Sequence, residues 1–159
     1  MTGALDYTSD RQPSTEWPLS LTIPCKAEYV ALCRLVVGAL GAQHSLDEES
    51  IADLKVVVTE ACTCFLGDSG GCLPPGNGDE GSGPLPSLRM DFHLTSEAWT
   101  ISVCNPDRRR RILPSSLCDP LSGGGLGLTI IRALVDSVEQ TDSDAEGSVL
   151  RLVKRLPPT

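Results

Sequence analysis

The spacing of the apolar residues changes several times along this chain of 159 residues, and those changes constrain the fold more than any other feature. Three segments repeat an apolar residue every three or four positions, which predicts amphipathic helices. Other segments alternate apolar and polar residues, which predicts strands. In chain order the pattern predicts a strand at 18–24, helices at 26–40 and 47–65, strands at 88–94 and 98–104, a helix at 125–138 and a strand at 148–156.

This order predicts an α+β fold, a two-layer sandwich in which a mixed β-sheet is covered on one face by helices. Gly41 is expected to end the first helix, and either Ser45 or Asp47 to cap the second. Ser96 and Glu97 are expected to form the turn of a hairpin between two strands. One domain at 17–156 is predicted, with a disordered tail at 1–16, a flexible insertion loop at 67–87, an irregular loop at 105–122 and a tail at 157–159.

The charge balance restricts the classes of partner. The chain has 21 acidic and 13 basic residues and a formal net charge of −8, so its field repels nucleic-acid phosphates and favours a protein partner with a basic surface. No basic region followed by an apolar run opens the sequence, and no window reaches the roughly 18 apolar residues of a membrane span. We therefore expect a cytoplasmic protein with no direct nucleic-acid or membrane partner.

The sequence contains seven cysteines. Their odd number and their spacing indicate reduced thiols, mostly buried as small apolar side chains, rather than a secreted disulfide framework or a zinc site. Cys62 and Cys64 form a Cys-x-Cys pair, for which a response to oxidation is an alternative interpretation. The basic run Arg108–Arg111 is either a solvated loop or a contact for phosphate or a partner.

A cluster of glycines, Gly123, Gly124, Gly125 and Gly127, lies directly before and at the start of the last predicted helix. Glycine lets the backbone bend tightly and approach a ligand, and the free N–H groups of a helix N-terminus attract anions. The cluster therefore predicts a phosphate-binding loop, although a flexible lead-in to the helix would show the same spacing. It lacks the Gly-Lys-Ser/Thr of a Walker A loop, and no strand directly precedes it as in a Rossmann fold.

Glu60 interrupts an otherwise apolar run, Val56-Val-Val-Thr-Glu-Ala-Cys62, on the second predicted helix. A carboxylate in that position is either a solvated surface group or a residue that faces a cleft. In a cleft it can act as a general base toward a hydroxyl. Cys64 follows four residues later and is therefore expected on the same face of the helix as Glu60.

Three blocks of the sequence together resemble the anti-sigma-factor serine kinases of the histidine-kinase-like ATPase superfamily. The blocks are Asp53-Leu-Lys-Val-Val-Val-Thr-Glu-Ala-Cys-Thr-Cys64, Gly123-Gly-Gly-Leu-Gly-Leu-Thr-Ile-Ile-Arg-Ala-Leu-Val-Asp-Ser-Val-Glu139 and Gly147-Ser-Val-Leu-Arg-Leu-Val-Lys-Arg-Leu156. The resemblance implies a Bergerat ATP-binding fold, ATP and Mg2+ as cofactors, and a lid-like role for the loop at 105–122. It also implies binding of a sigma factor and of a STAS-type anti-sigma-factor antagonist, phosphorylation of a serine on that antagonist, and homodimerisation.

The same resemblance implies roles for particular residues. Glu60 takes the place of the catalytic glutamate that activates the attacking hydroxyl. Cys64 takes the place of the asparagine that helps to hold the metal, Mg2+. The nucleotide-binding positions are Asn105, Asp107, Gly123, Gly124, Gly125, Leu126, Gly127, Leu128 and Thr129.

Two of the family's motifs are altered in this sequence. The helix motif is Glu-Ala-x-x-Asn, and Cys64 puts a thiol where an oxygen ligand is expected, although Mg2+ is a hard cation that prefers oxygen. The adenine motif Asp-x-Gly-x-Gly is replaced by Asn105-Pro-Asp-Arg-Arg109, where the Asn105 carbonyl still accepts a hydrogen bond but both glycines are missing. Two functions therefore remain open. One is an anti-sigma factor that is also a protein-serine/threonine kinase, and the other is a catalytically degenerate partner-binding module of the same fold.

Overall fold

The computed structural model describes residues 19–66, 86–105, 125–143 and 147–157, which form three helices, a short 3-10 turn and five strands. The elements in chain order are β1 (Leu19–Pro24), the 3-10 turn (Ala27–Tyr29), α1 (Val30–Gln43), α2 (Glu48–Leu66), β2 (Ser87–Leu94), β3 (Ala98–Cys104), α3 (Gly125–Leu134), β4 (Ser137–Ser143) and β5 (Gly147–Arg155). The tail at 1–16, most of the two predicted loops at 67–87 and 105–122, and residues 158–159 lie outside the described ranges.

The five described strands form one sheet in the order β1-β2-β3-β5-β4. The predicted α+β fold is confirmed, with the sheet packed against the helices. Each of the four strand pairings is antiparallel, however, so the described sheet is not mixed. A helix leading from β3 straight into β5 would make those two strands parallel. The additional strand β4 reverses the chain direction after α3 and thereby makes β5 antiparallel to β3.

Strand β4 replaces the end of a predicted helix. The sequence predicts one helix over 125–138, but α3 ends at Leu134. The backbone turns at Asp136, whose N–H donates to the carbonyl of Val153 at 2.8 Å and whose carboxylate accepts the N–H of Arg155 at 2.6 Å. Pairing with β5 therefore gives hydrogen-bond partners to backbone groups that would otherwise pair within a longer helix. The helical spacing of the apolar residues beyond Leu134 thus predicts the wrong element.

The core lies between the helices and one face of the sheet. Along β2 and β3 every second side chain is buried, as the alternating sequence predicts. With 4% aromatic residues in the chain, aliphatic side chains make up most of this core. The largest side chains that are almost completely buried are Trp99, Phe65, Phe92, Leu54, Leu88, Ile101, Ile131, Leu150 and Leu152.

Asp47 is the residue that caps α2. Its carboxylate accepts the N–H of Ser50 at 2.7 Å and the Ser50 hydroxyl at 2.9 Å. These bonds, the backbone one first, lower the pKa of Asp47. Ser45, the other predicted cap, instead lies in the turn between the helices with a φ of 56°.

Gly41 does not end the first helix as predicted, because α1 continues to Gln43. The residue is buried in the contact between the two long helices. A Cβ built on Gly41 would lie 2.6 Å from Cγ1 of Ile51 on α2. Gly41 therefore allows α1 and α2 to pack closely, and it does not end α1.

Candidate functional site

The contact between α2 and α3 brings two predicted site residues together. Gly127, in the first turn of α3, lies directly against Glu60 of α2, and a Cβ built on Gly127 would come within 2.8 Å of Glu60 Oε2. Leu128 and Ile131 of α3 are buried in the core and fix the position of the helix. A glycine leaves room for the carboxylate here. The predicted catalytic residue therefore lies beside one of the glycines predicted to bind phosphate.

Glu60 lies at the border between the buried and exposed faces of α2. Val57, Val58 and Ala61 around it are completely buried, whereas Glu60 is partly exposed. Cys64 is one helical turn away, and the negative charge of Glu60 acts on its thiol. The structure thus places both residues on one side of α2, as their spacing predicts.

The Cys64 thiol is held in its protonated form. Burial first, and then the charge of Glu60, raise the pKa of Cys64 from 9.0 to about 11. A neutral thiol is a poor ligand for Mg2+, which prefers oxygen donors. Within the described ranges no group of three or more His, Cys, Asp or Glu residues is arranged to hold a metal ion. The donor set around Glu60 therefore does not fit Mg2+.

The N-terminus of α3 is suited to an anion. Gly125 begins this helix of ten residues, and the first N–H groups of a helix have no acceptor within it. The side chain of Leu126 is 68% exposed, and Thr129 is exposed as well. Leu128 is only 5% exposed, so its side chain contributes to the core and only its backbone is available to a ligand.

Asn105 directly follows β3 and is one of the few polar residues that are buried within the described ranges, with 4% of its surface exposed. Its side-chain amide can both donate and accept hydrogen bonds, and its position at the end of a central strand agrees with the role implied by the resemblance. Three other predicted nucleotide-binding residues, Asp107, Gly123 and Gly124, lie outside the described ranges.

An ion pair that the sequence did not indicate holds the helices of the site together. Lys154 of β5 donates to the carboxylate of Asp53 on α2 at 3.2 Å and to the carbonyl of Leu134 at 2.9 Å. A lysine at the C-terminal end of a helix is favourable because the free carbonyls there carry partial negative charge. Lys154 therefore connects α2, the end of α3 and β5. Asp53 and Lys154 are 101 positions apart, and no local spacing reveals such a pair.

The thiols are distributed differently from the prediction. Cys33, Cys62, Cys64 and Cys104 carry reduced thiols, but Cys25 is disulfide-bonded, so the prediction of reduced thiols is wrong at Cys25. Cys62 is buried in the core and its sulfur contacts that of Cys33. Cys64 instead lies on the side of α2 that carries Glu60.

Comparison with known proteins gives a consistent result. The model of the histidine kinase-like ATPase domain family matches residues 23–154. The serine-protein kinase RsbW of Halalkalibacterium halodurans is 30% identical over 155 residues, covering 91% of this chain and 85% of that protein. The proteins of the same name from Bacillus velezensis and Bacillus subtilis are 29% and 27% identical, each over 76% of this chain. Among the described residues no helix is long and apolar enough to cross a membrane.

Proposed function

Because the chain belongs to the histidine kinase-like ATPase domain family, we propose that it binds ATP where α2 meets α3 and acts as an anti-sigma regulatory factor in a partner switch. The observation that carries the proposal is the contact of Gly127 with Glu60. It combines a backbone that a ligand can approach closely with a carboxylate that is partly exposed. The match of the family model over 23–154 supports the proposal independently.

Each part of the proposed site has a separate task. The N–H groups at the start of α3, from Gly125 to Gly127, have no acceptor within the helix and bind the phosphates of the nucleotide. Asn105 at the end of β3 accepts a hydrogen bond from the adenine amino group. Lys154 fixes the end of α3 relative to α2 through Leu134 and Asp53, which keeps Gly127 beside Glu60.

We propose phosphoryl transfer to a serine as the reaction of this site, in agreement with the name serine-protein kinase of the relatives. ATP, when bound, supplies the phosphoryl group. Glu60 accepts the proton of the serine hydroxyl of an anti-sigma-factor antagonist as that oxygen attacks. Since the described donors do not fit Mg2+, no step of this proposal is assigned to a metal.

A second candidate is a partner-binding module of the same fold without kinase activity. The neutral thiol of Cys64 favours it, because this position is an oxygen ligand in the family's motif. Both candidates share the proposed partners, a sigma factor and a STAS-type antagonist, and both share the cytoplasm as location. The net charge of −8 favours a partner with a basic surface in either case. A second copy of the chain completes the proposed assembly.

A phosphotransfer assay separates the two candidates. The purified chain is incubated with ATP, Mg2+ and a STAS-type antagonist from the same organism, and phosphoserine is identified by mass spectrometry. A kinase gives phosphoserine with the native chain and at least about a hundredfold less with Glu60→Gln, because loss of a general base costs about 10²–10⁴ in rate. Glu49→Gln, in the exposed first turn of α2, is the matched control and should keep the native rate.

Absence of phosphoserine with a folded chain and a bound antagonist would exclude the kinase and leave the binding module. A pull-down without nucleotide tests what both candidates share. It should recover a sigma factor or the antagonist. If it recovers neither partner, with or without ATP, the proposed partner switch is wrong.

A further inference from the structure

Two free cysteines face each other in the core between α1 and α2. The sulfur atoms of Cys33 and Cys62 are 3.9 Å apart, and the two residues are only 1% and 0% exposed. Neither residue belongs to the contact between Glu60 and Gly127. The proposed nucleotide chemistry therefore leaves this thiol pair unexplained.

The two sulfurs belong to a longer antiparallel contact between the helices. Gly41 meets Ile51 near one end of α1, Gly38 meets Lys55 in the middle, and Cys33 meets Cys62 near the other end. The small residues allow a close approach of the two backbones. The same contact holds the two thiols against each other.

We propose that Cys33 and Cys62 form an oxidative modification site, at which a peroxide joins the two sulfurs in a disulfide that ties α1 to α2. The bond requires the sulfur atoms to approach from 3.9 Å to about 2.0 Å. The two side chains and helices therefore have to shift toward each other for the bond to form.

The surroundings of Cys33 select it as the attacking thiol. The Cys62 thiol donates a hydrogen bond to the Cys33 sulfur, which lowers the pKa of Cys33. Cys33 also lies in the first turns of α1, where the helix dipole favours a thiolate.

The reaction balances with hydrogen peroxide as the oxidant. The Cys33 thiolate attacks one peroxide oxygen, the O–O bond breaks, and the products are a sulfenic acid and a hydroxide that takes up a proton as water. The Cys62 sulfur then attacks the Cys33 sulfur. The S–S bond forms, and the oxygen leaves with the Cys62 proton as a second water. The two thiols thereby lose two electrons, and the peroxide is reduced to water.

Burial sets the rate of this reaction. Because both sulfurs are covered, the oxidant reaches them only when the start of α1 opens locally. The same burial slows reduction of the disulfide once α1 has closed again. Slow formation and slow but complete reduction by excess dithiothreitol are therefore expected.

The disulfide would affect the proposed nucleotide site through α2. Cys62 and Glu60 are two residues apart, which places them on roughly opposite sides of the helix. Movement of α2 toward α1 draws Glu60 away from Gly127, and the oxidised chain should bind nucleotide several-fold more weakly. This consequence rests on the proposed function, whereas formation of the disulfide does not.

Peptide mapping of the full chain tests the modification. The native chain is treated with hydrogen peroxide, its remaining thiols are alkylated, and the digest is analysed by mass spectrometry without reduction. The expected product links Cys33 to Cys62, accumulates over time and disappears on treatment with dithiothreitol. Cys64→Ser should still form it, whereas Cys33→Ala and Cys62→Ala should not. The proposal would be overturned if Cys33 and Cys62 both stayed reduced in the native chain, or if Cys62 became linked to Cys64 instead. This outcome is measured on the native chain, so it does not depend on whether the variants fold.

Calorimetry with ATP tests the consequence on the same samples. The oxidised native chain should bind several-fold more weakly than the reduced chain, and dithiothreitol should restore the affinity. Equal affinity of a fully linked sample would refute the coupling through α2. Failure of the reduced chain to bind ATP would instead refute the proposed function. It would leave the disulfide proposal intact, because peptide mapping detects the disulfide independently of ATP binding.

Discussion

Gly127 and Glu60 touch across the contact between α2 and α3, with room for a hydrogen but not for a methyl group between the Gly127 backbone and the Glu60 carboxylate. A Cβ on Gly127 would lie 2.8 Å from Glu60 Oε2. Any side chain at this position must therefore displace the carboxylate. The contact therefore couples the position of the Gly127 backbone to that of the Glu60 carboxylate.

Gly127→Ala should weaken ATP binding by about tenfold, equivalent to about 1.4 kcal/mol. The added methyl group pushes the Glu60 carboxylate aside and narrows the approach to the α3 backbone. The free energy of unfolding should not fall, since the methyl meets the movable end of a side chain and alanine favours a helix over glycine. Calorimetry with ATP and denaturant unfolding of the same samples provide the two measurements.

A double-mutant cycle supplies the control. In a Glu60→Ala background the obstructing carboxylate is gone, so adding Gly127→Ala should have much less effect than it has in the native chain. If the two substitutions simply add, the contact does not couple these residues.

Gly41→Ala should lower the free energy of unfolding by about 1–3 kcal/mol, the usual range for overpacking a core. The new methyl would meet Cγ1 of Ile51 at 2.6 Å in the buried contact between α1 and α2. Gly38→Ala is the matched control, because its methyl meets only the flexible end of Lys55 at 3.0 Å, and it should be neutral or stabilising. Equal effects of the two substitutions in urea unfolding would contradict the packing described for Gly41.

Lys154→Met should destabilise the chain by about 1–2 kcal/mol, because it leaves a partly buried Asp53 carboxylate and the Leu134 carbonyl without their donor. Arg89→Ala removes a second ion pair, with Asp91, in which both side chains are more than one-third exposed. That change should cost less than about 1 kcal/mol. Thermal unfolding of both variants tests which substitution costs more stability. The prediction would be wrong if Arg89→Ala lowered the stability more than Lys154→Met.

Alkylation of Cys64 should depend on pH with a midpoint near 11, because burial and the charge of Glu60 raise its pKa to about 11. At pH 8 only about one thiol in a thousand is then ionised and reactive. Since the folded chain binds this proton more tightly than the unfolded chain, the stability it contributes is complete below pH 9 and is lost as the pH rises toward 11. Glu60→Gln should move the midpoint downward. Quantitative mass spectrometry of iodoacetamide-treated samples gives the profile, and a midpoint of 9 or below would contradict the environment described for Cys64.

Most of the fold follows from local spacing. The alternation in β2 and β3 and the helical periods of α1 and α2 predict those elements because each buries one regular face. The sequence alone predicts the glycine cluster and Glu60 as site residues, and the structure brings Gly127 and Glu60 into contact.

The errors have a common physical origin in contacts distant along the chain. Pairing with β5 turns the segment after Leu134 into a strand, although its apolar spacing also fits a helix. Gly41 carries the usual signal of a helix end, but its missing side chain admits Ile51. The ion pair of Lys154 with Asp53 and the contact of Cys33 with Cys62 depend on how the helices pack, which no short window of sequence contains.

Calorimetric titration with ATP, with and without Mg2+, of the native chain and of Cys64→Asn tests whether α2 and α3 form a nucleotide site that lacks one metal ligand. We predict that the native chain binds ATP with an affinity that Mg2+ changes little, because the neutral Cys64 thiol does not hold the metal. We also predict that Cys64→Asn, which restores an oxygen ligand, gains affinity when Mg2+ is added. Failure of the folded native chain to bind ATP under either condition would contradict a nucleotide site between α2 and α3. Native binding that depends entirely on Mg2+ would contradict the role given to Cys64.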